Sequence, residues 1–112
     1  MCGERAIIRR MKSQEKLTTA QMVRAARVLQ AFAHPLRLAI VQELMDGPLT
    51  CSQVQARLGC AQSTFSLQLK LLVDQGLVAT RKEGTVKHCS IRNPDFLKLF
   101  ICLRRHLTEV LI

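Results

Sequence analysis

Between positions 62 and 70 the chain sets Gln62, Ser63, Thr64, Ser66, Gln68 and Lys70 close together. Carboxamides and hydroxyls donate and accept hydrogen bonds in the patterns that base edges present, and an ammonium group neutralises a phosphate. Further along, Arg81, Lys82 and Lys87 surround the turn residues Glu83-Gly84. The two concentrations predict a surface for duplex nucleic acid. The Ser and Thr residues have a second use, since such a side chain also caps the helix it begins.

The charge balance points the same way. The net charge is +9, with seven basic against two acidic residues in positions 1–30 and five against two in positions 61–92. A Lys and Arg surplus raises affinity for polyanions by releasing counterions from phosphates, although it also serves solubility.

The cysteines offer a different chemistry. Cys2, Cys51, Cys60, Cys89 and Cys102 are odd in number and contain no Cys-x-x-Cys pair, so free thiols in a reducing compartment are expected. Cys2, Cys51 and Cys102 are candidate sensors, because a trivalent metalloid or an oxidant engages two or three neighbouring thiolates. The competing reading makes Cys51 and Cys102 ordinary buried residues, a common fate of free cysteine. Cys89, on an extended run beside the polar Ser90, reads as an inward-facing small apolar residue. Cys60 falls in the turn before the polar helix, where modification would disturb docking. Cys102 and His106, four apart on one helical face, make half of a metal site if a second pair comes from another element or subunit.

Other classes find little support. There is no Gly-rich phosphate loop and no nucleophile with an adjacent base, which argues against an enzyme. No signal peptide is expected and no apolar run approaches the roughly 18 residues of a membrane span, so a cytoplasmic protein is predicted. A protein–protein module remains the alternative to nucleic-acid binding.

These residues need elements to hold them. With 48% hydrophobic residues, 22% charged and no Trp or Tyr, the chain should fold as one domain around an aliphatic core. Positions 1–17 read as a basic arm and 18–112 as the domain. Thr18 with Gln21 fits a capping box, and Met22, Ala25, Ala26, Leu29, Phe32 and Ala33 recur at helical spacing, predicting a helix over 18–33. His34-Pro35 breaks it and starts a second helix, 35–45. Thr50 with Gln53 caps a short third helix that Gly59 terminates. A fourth carries Phe65, Leu69, Leu72 and Val73 inward and stops at Gly76. Extended runs over 77–82 and 85–91 form a basic hairpin. Asn93-Pro94-Asp95 opens a fifth helix, apolar on more than one face, that a monomer could not bury.

The run from Ala31 to Leu44, containing Ala33-His34-Pro35-Leu36-Arg37, is similar to the junction of the first two helices in the ArsR/SmtB family of winged helix-turn-helix repressors. Leu49-Thr50 to Leu58-Gly59, Gln62-Ser63-Thr64-Phe65-Ser66, Leu69-Lys70, Gly76-Leu77-Val78 and Arg81-Lys82-Glu83-Gly84 continue the resemblance across about 20–110. It implies a mainly α fold with a small β-hairpin, five helices plus a two-stranded wing, and a homodimer through the first and fifth helices. It further implies repression, with two recognition helices in successive major grooves of an inverted-repeat operator, the wings reaching the flanks, and an inducer that releases the DNA. Gln62, Ser63, Thr64, Ser66 and Gln68 would then face bases and phosphates, and Lys70, Arg81, Lys82 and Lys87 phosphates. The sequence departs from the family at Ala61, where a capping Ser is usual, and at Leu67-Gln68, where a histidine pair or Arg-His is common. Thr50-Cys51-Ser52 stands in place of a metal-binding Cys-x-Cys. Of the fifth-helix zinc pattern only Asp95, His106 and Glu109 are plausible ligands. A metalloid or metal ion as inducer is therefore an open expectation.

Overall fold

The structure, a computed structural model, describes residues 16–109. Most of the expected arm, including Cys2, lies outside these residues, as do Val110, Leu111 and the side chain of Glu109. The first helix, α1 (Thr19–Phe32), opens with the full capping box: Thr18 accepts from the Gln21 N–H while the Gln21 side chain accepts from the Thr18 N–H. His34, in extended geometry, caps α2 (Pro35–Leu44) by accepting the Leu36 N–H on Nδ1 at 3.0 Å, and Pro35 supplies the first turn. Thr50 repeats the box for α3 (Cys51–Leu58), which ends on left-handed Gly59 at φ 63°. The helix α4 (Gln62–Asp74) follows, its N-cap Ala61 making no side-chain hydrogen bond. Neither Ser63 nor Thr64 supplies that missing cap, so the capping use of these hydroxyls is not realised at the helix start.

The hairpin consists of β2 (Val78–Glu83) and β3 (Val86–Ile91). Glu83 pairs with Val86, so the two-residue loop is Gly84-Thr85, one position later than expected. Gly84 at φ 63° takes the left-handed position that the loop requires. The expected two-stranded wing gains a third strand, β1 (Leu49–Thr50), which pairs antiparallel with β3 through Leu49 with Cys89 and Thr50 with His88. The sheet order is β1-β3-β2. Two residues are too few to show a period of two in sequence. The last helix, α5 (Asp95–Glu109), starts where Asn93 Oδ1 accepts the Asp95 N–H at 2.9 Å.

The core is aliphatic, as composition predicts. Ile40, Val41 and Leu44 of α2, Val54 of α3, and Phe65, Leu69 and Leu72 of α4 close on Leu77, Val78 and Cys89. α5 adds only half-buried Phe96, Leu97 and Phe100 to this cluster, while Leu99, Ile101, Leu103 and Leu107 are exposed. On α1, Met22 and Leu29 are exposed as well. One chain thus leaves two apolar helix faces uncovered at its ends.

Candidate nucleic-acid interface

A 13-residue helix with one buried stripe must present the rest of its side chains outward. On α4 the buried stripe is Phe65, Gln68, Leu69 and Leu72, and the exposed side chains are Gln62, Ser63, Thr64, Ser66, Leu67, Lys70, Leu71 and Asp74. Five of the six polar residues singled out on this helix are therefore available to a partner. Leu67, at 58% exposure, stands among them as an apolar group on the polar face.

Gln68 is the correction. It is 9% exposed, and its Oε1 accepts from Arg37 Nη1 at 2.8 Å. Polarity suggested an outward residue, but the spacing from Phe65 to Gln68 to Leu72 places it on the inward face. Arg37 completes the arrangement by donating from Nε to the Ala31 carbonyl at 2.7 Å and from Nη2 to the Gln30 carbonyl at 3.0 Å. Both carbonyls belong to the last turn of α1; that of Gln30 also accepts the Ala33 N–H at 3.1 Å. One guanidinium fork therefore joins the end of α1 to α4. The sequence showed Arg37 only as part of the family-like run, with nothing to announce its partner 31 residues away.

The wing presents Arg81, Lys82 and Lys87, all exposed. Arg81 and His88 both lie 3.5 Å from the Glu83 carboxylate. On the other face of the hairpin Lys82 is directly opposite Lys87, a like-charged pair that disfavours the free hairpin. A cleft of about 450 Å³ separates the wing from the helix-turn-helix, with Gln62, Ser66 and Lys70 on the α4 side and Thr80 and Lys87 on the wing side. Polar recognition groups and cations thus border one continuous groove.

Cys51 lines that cleft too, and its Sγ is 2.7 Å from Cys89 Sγ. Cys89 is fully buried, as its position on the strand predicted. Burial, followed by the hydrogen bond and charge of Cys51, pushes its thiol up to about 12, with Lys87 pulling slightly the other way. The sequence pattern grouped Cys51 with Cys2 and Cys102 and gave no sign of this partner, because the pairing depends on β1. Cys102 is exposed on α5, away from Cys51, and with His106 it borders an apolar cavity of about 320 Å³ lined by Leu29, Phe32, Phe100 and Leu103. Asp95 is paired with Lys98 at 3.3 Å rather than turned toward His106. Among the described residues no three His, Cys, Asp or Glu side chains cluster to hold a metal ion. Cys60 is half-buried at the start of α4, where its carbonyl accepts from Gln55 at 3.4 Å.

A helix-turn-helix followed by a basic hairpin, with its polar helix face open, defines a winged-helix DNA-binding module. Residues 32–81 match the helix-turn-helix domain family. Among solved structures, the homodimeric winged helix-turn-helix DNA-binding domain of Mb0332 from Mycobacterium bovis, described as a possible ArsR-family regulator, superposes with a TM-score of 0.77 at 31% identity over 90% of this chain and 94% of that one. The biofilm growth-associated repressor of Xylella fastidiosa is 35% identical over 57 residues, 51% of this chain and 50% of its own length. A probable mercury resistance operon repressor of Streptomyces lividans is 33% identical over 81 residues, 70% of this chain and 65% of its own length. The chain thus spans half to about two thirds of these curated relatives. The chain belongs to the ArsR family of winged helix-turn-helix transcriptional regulators, a family of DNA-binding proteins and not of enzymes. No helix among the described residues is long and apolar enough to cross a membrane.

Proposed function

We propose that this chain is a cytoplasmic transcriptional repressor that binds an inverted-repeat DNA operator as a homodimer. The observation that carries the reading is the groove in which Gln62, Ser66 and Lys70 of α4 face Thr80 and Lys87 of the wing. In this reading Gln62, Ser63, Thr64 and Ser66 meet base edges and phosphates in the major groove, while Lys70, Arg81, Lys82 and Lys87 fix the register on the backbone. Leu67 is placed to touch a thymine methyl. The uncovered faces of α1 and α5 supply the dimer contact and set the spacing of the two recognition helices. The names of the relatives support repression rather than activation.

The test is fluorescence anisotropy of the full chain against duplex from its own upstream region, over a salt series. Binding as a dimer with an affinity that falls steeply with salt is expected. Lys87→Ala should lower the salt slope by about one contact's worth without changing sequence preference, whereas Gln62→Ala should flatten that preference. Failure to bind duplex at low salt would overturn the reading.

A further inference from the structure

The DNA-binding reading makes no use of the two thiols that meet at the joint between the helix-turn-helix and the wing, and a regulatory role for them rests on that reading. The joint is built by backbone pairing: Leu49 sits opposite Cys89, and the chain runs from Thr50 straight into Cys51 at the first position of α3. Cys51 thereby reaches Cys89 on β3, with the sulfurs 2.7 Å apart, roughly 0.7 Å beyond a covalent disulfide. Cys51 is half-buried and opens onto the cleft, while Cys89 is sealed behind it.

We propose that Cys51 and Cys89 are a redox site that a hydroperoxide converts to a disulfide, tying α3 to the root of the wing and weakening duplex binding. The Cys51 sulfur, the one open to the cleft, attacks the terminal oxygen of the peroxide. The O–O bond breaks, Cys51 becomes a sulfenic acid, and the alcohol or water departs. The Cys89 sulfur then displaces the sulfenic hydroxyl, its thiol proton leaving with that hydroxyl as water. The two thiols lose two electrons in total and the peroxide gains them.

Burial, and after it the contact with Cys51, keeps Cys89 protonated until the second step, in which its proton leaves with the water formed. Bond formation requires the sulfurs to close the remaining gap and to adopt a Cβ–S–S–Cβ dihedral near 90°. That draws the first turn of α3 toward β3 and resets the cleft whose two walls must seat on DNA together. The site differs from the sequence-based grouping in that Cys51 is joined by Cys89 and the exposed Cys102 takes no part.

The experiment treats the reduced full chain with hydrogen peroxide and follows it by intact mass, disulfide peptide mapping and anisotropy on the same upstream duplex. The wild type should lose the mass of two hydrogens, yield a Cys51–Cys89 linked peptide, and bind at least about fivefold more weakly until dithiothreitol restores it. Cys51→Ser and Cys89→Ala, each checked by circular dichroism, should bind as the reduced wild type does and ignore peroxide, while Cys102→Ser should respond like the wild type. Absence of the linked peptide would overturn the proposal, and so would a linked protein of unchanged affinity or a peroxide response that persists in Cys51→Ser. If the reduced chain fails to bind duplex, the DNA reading falls and the regulatory claim with it, while peptide mapping still reports on the dithiol by itself.

Discussion

Two side chains carry more of the structure than their types suggest. Arg37 closes three hydrogen bonds, two to carbonyls at the end of α1 and one to Gln68. Arg37→Ala should lower stability by about 2 kcal/mol in urea unfolding, because Gln68 and the Ala31 carbonyl lose a charged donor in a half-buried place. Arg37→Lys should recover only part of this, since an ammonium cannot present the same planar fork. The second residue is Cys89. Its thiol is raised from 9.0 to about 12, so the folded chain holds this proton more tightly than the unfolded chain does. The stability it contributes is complete below pH 9 and is lost as pH rises from 9 toward 12, by at most about 1.4 kcal/mol per pH unit. The wild type should therefore lose stability faster than Cys89→Ala across that window. At this scale the sequence was legible where type and position agree, as for the inward Cys89. It misled where a polar type sits at an apolar phase, as Gln68 does.

The elements follow from local signals almost throughout. Capping boxes at Thr18 and Thr50, the His34-Pro35 break and the left-handed Gly59 each satisfy a backbone group that a helix end leaves open, so boundaries were readable to within a residue or so. The exception is β1, whose existence depends on pairing with β3 and on no pattern of its own. The Cys51–Cys89 contact was illegible for the same reason. At the start of α4 the opposite situation holds: Ala61 has the extended geometry of an N-cap, φ −64° and ψ 146°, with no side chain to use it. Ala61→Ser should stabilise the chain by about 1 kcal/mol and raise Tm by roughly 4–8 °C in a thermal scan. A drop in Tm would show that the start of α4 is held by something other than its cap.

For the molecule as a whole, the uncovered apolar faces of α1 and α5 decide the assembly. Leu103→Glu, on the exposed side of α5, should shift the sedimentation profile from dimer to monomer and weaken operator binding by more than tenfold, since one half-site then binds alone. Net charge and a single aliphatic core were legible at this scale, because charge and composition are sums over the chain, whereas the fold class came from the order of the elements and the family resemblance. The geometry of the groove was not legible, because it depends on how far β3 stands from α4. The opposed pair Lys82 and Lys87 also governs how firmly the wing is held. Two ammonium groups directly opposite each other weaken the pairing without breaking it, and a phosphate lying between them would relieve that repulsion. Duplex should therefore slow amide hydrogen exchange in the hairpin well beyond the residues it covers, and Lys82→Gln should slow that exchange even without DNA. The wing would then act as a reporter of occupancy, ordered by the phosphate it finds.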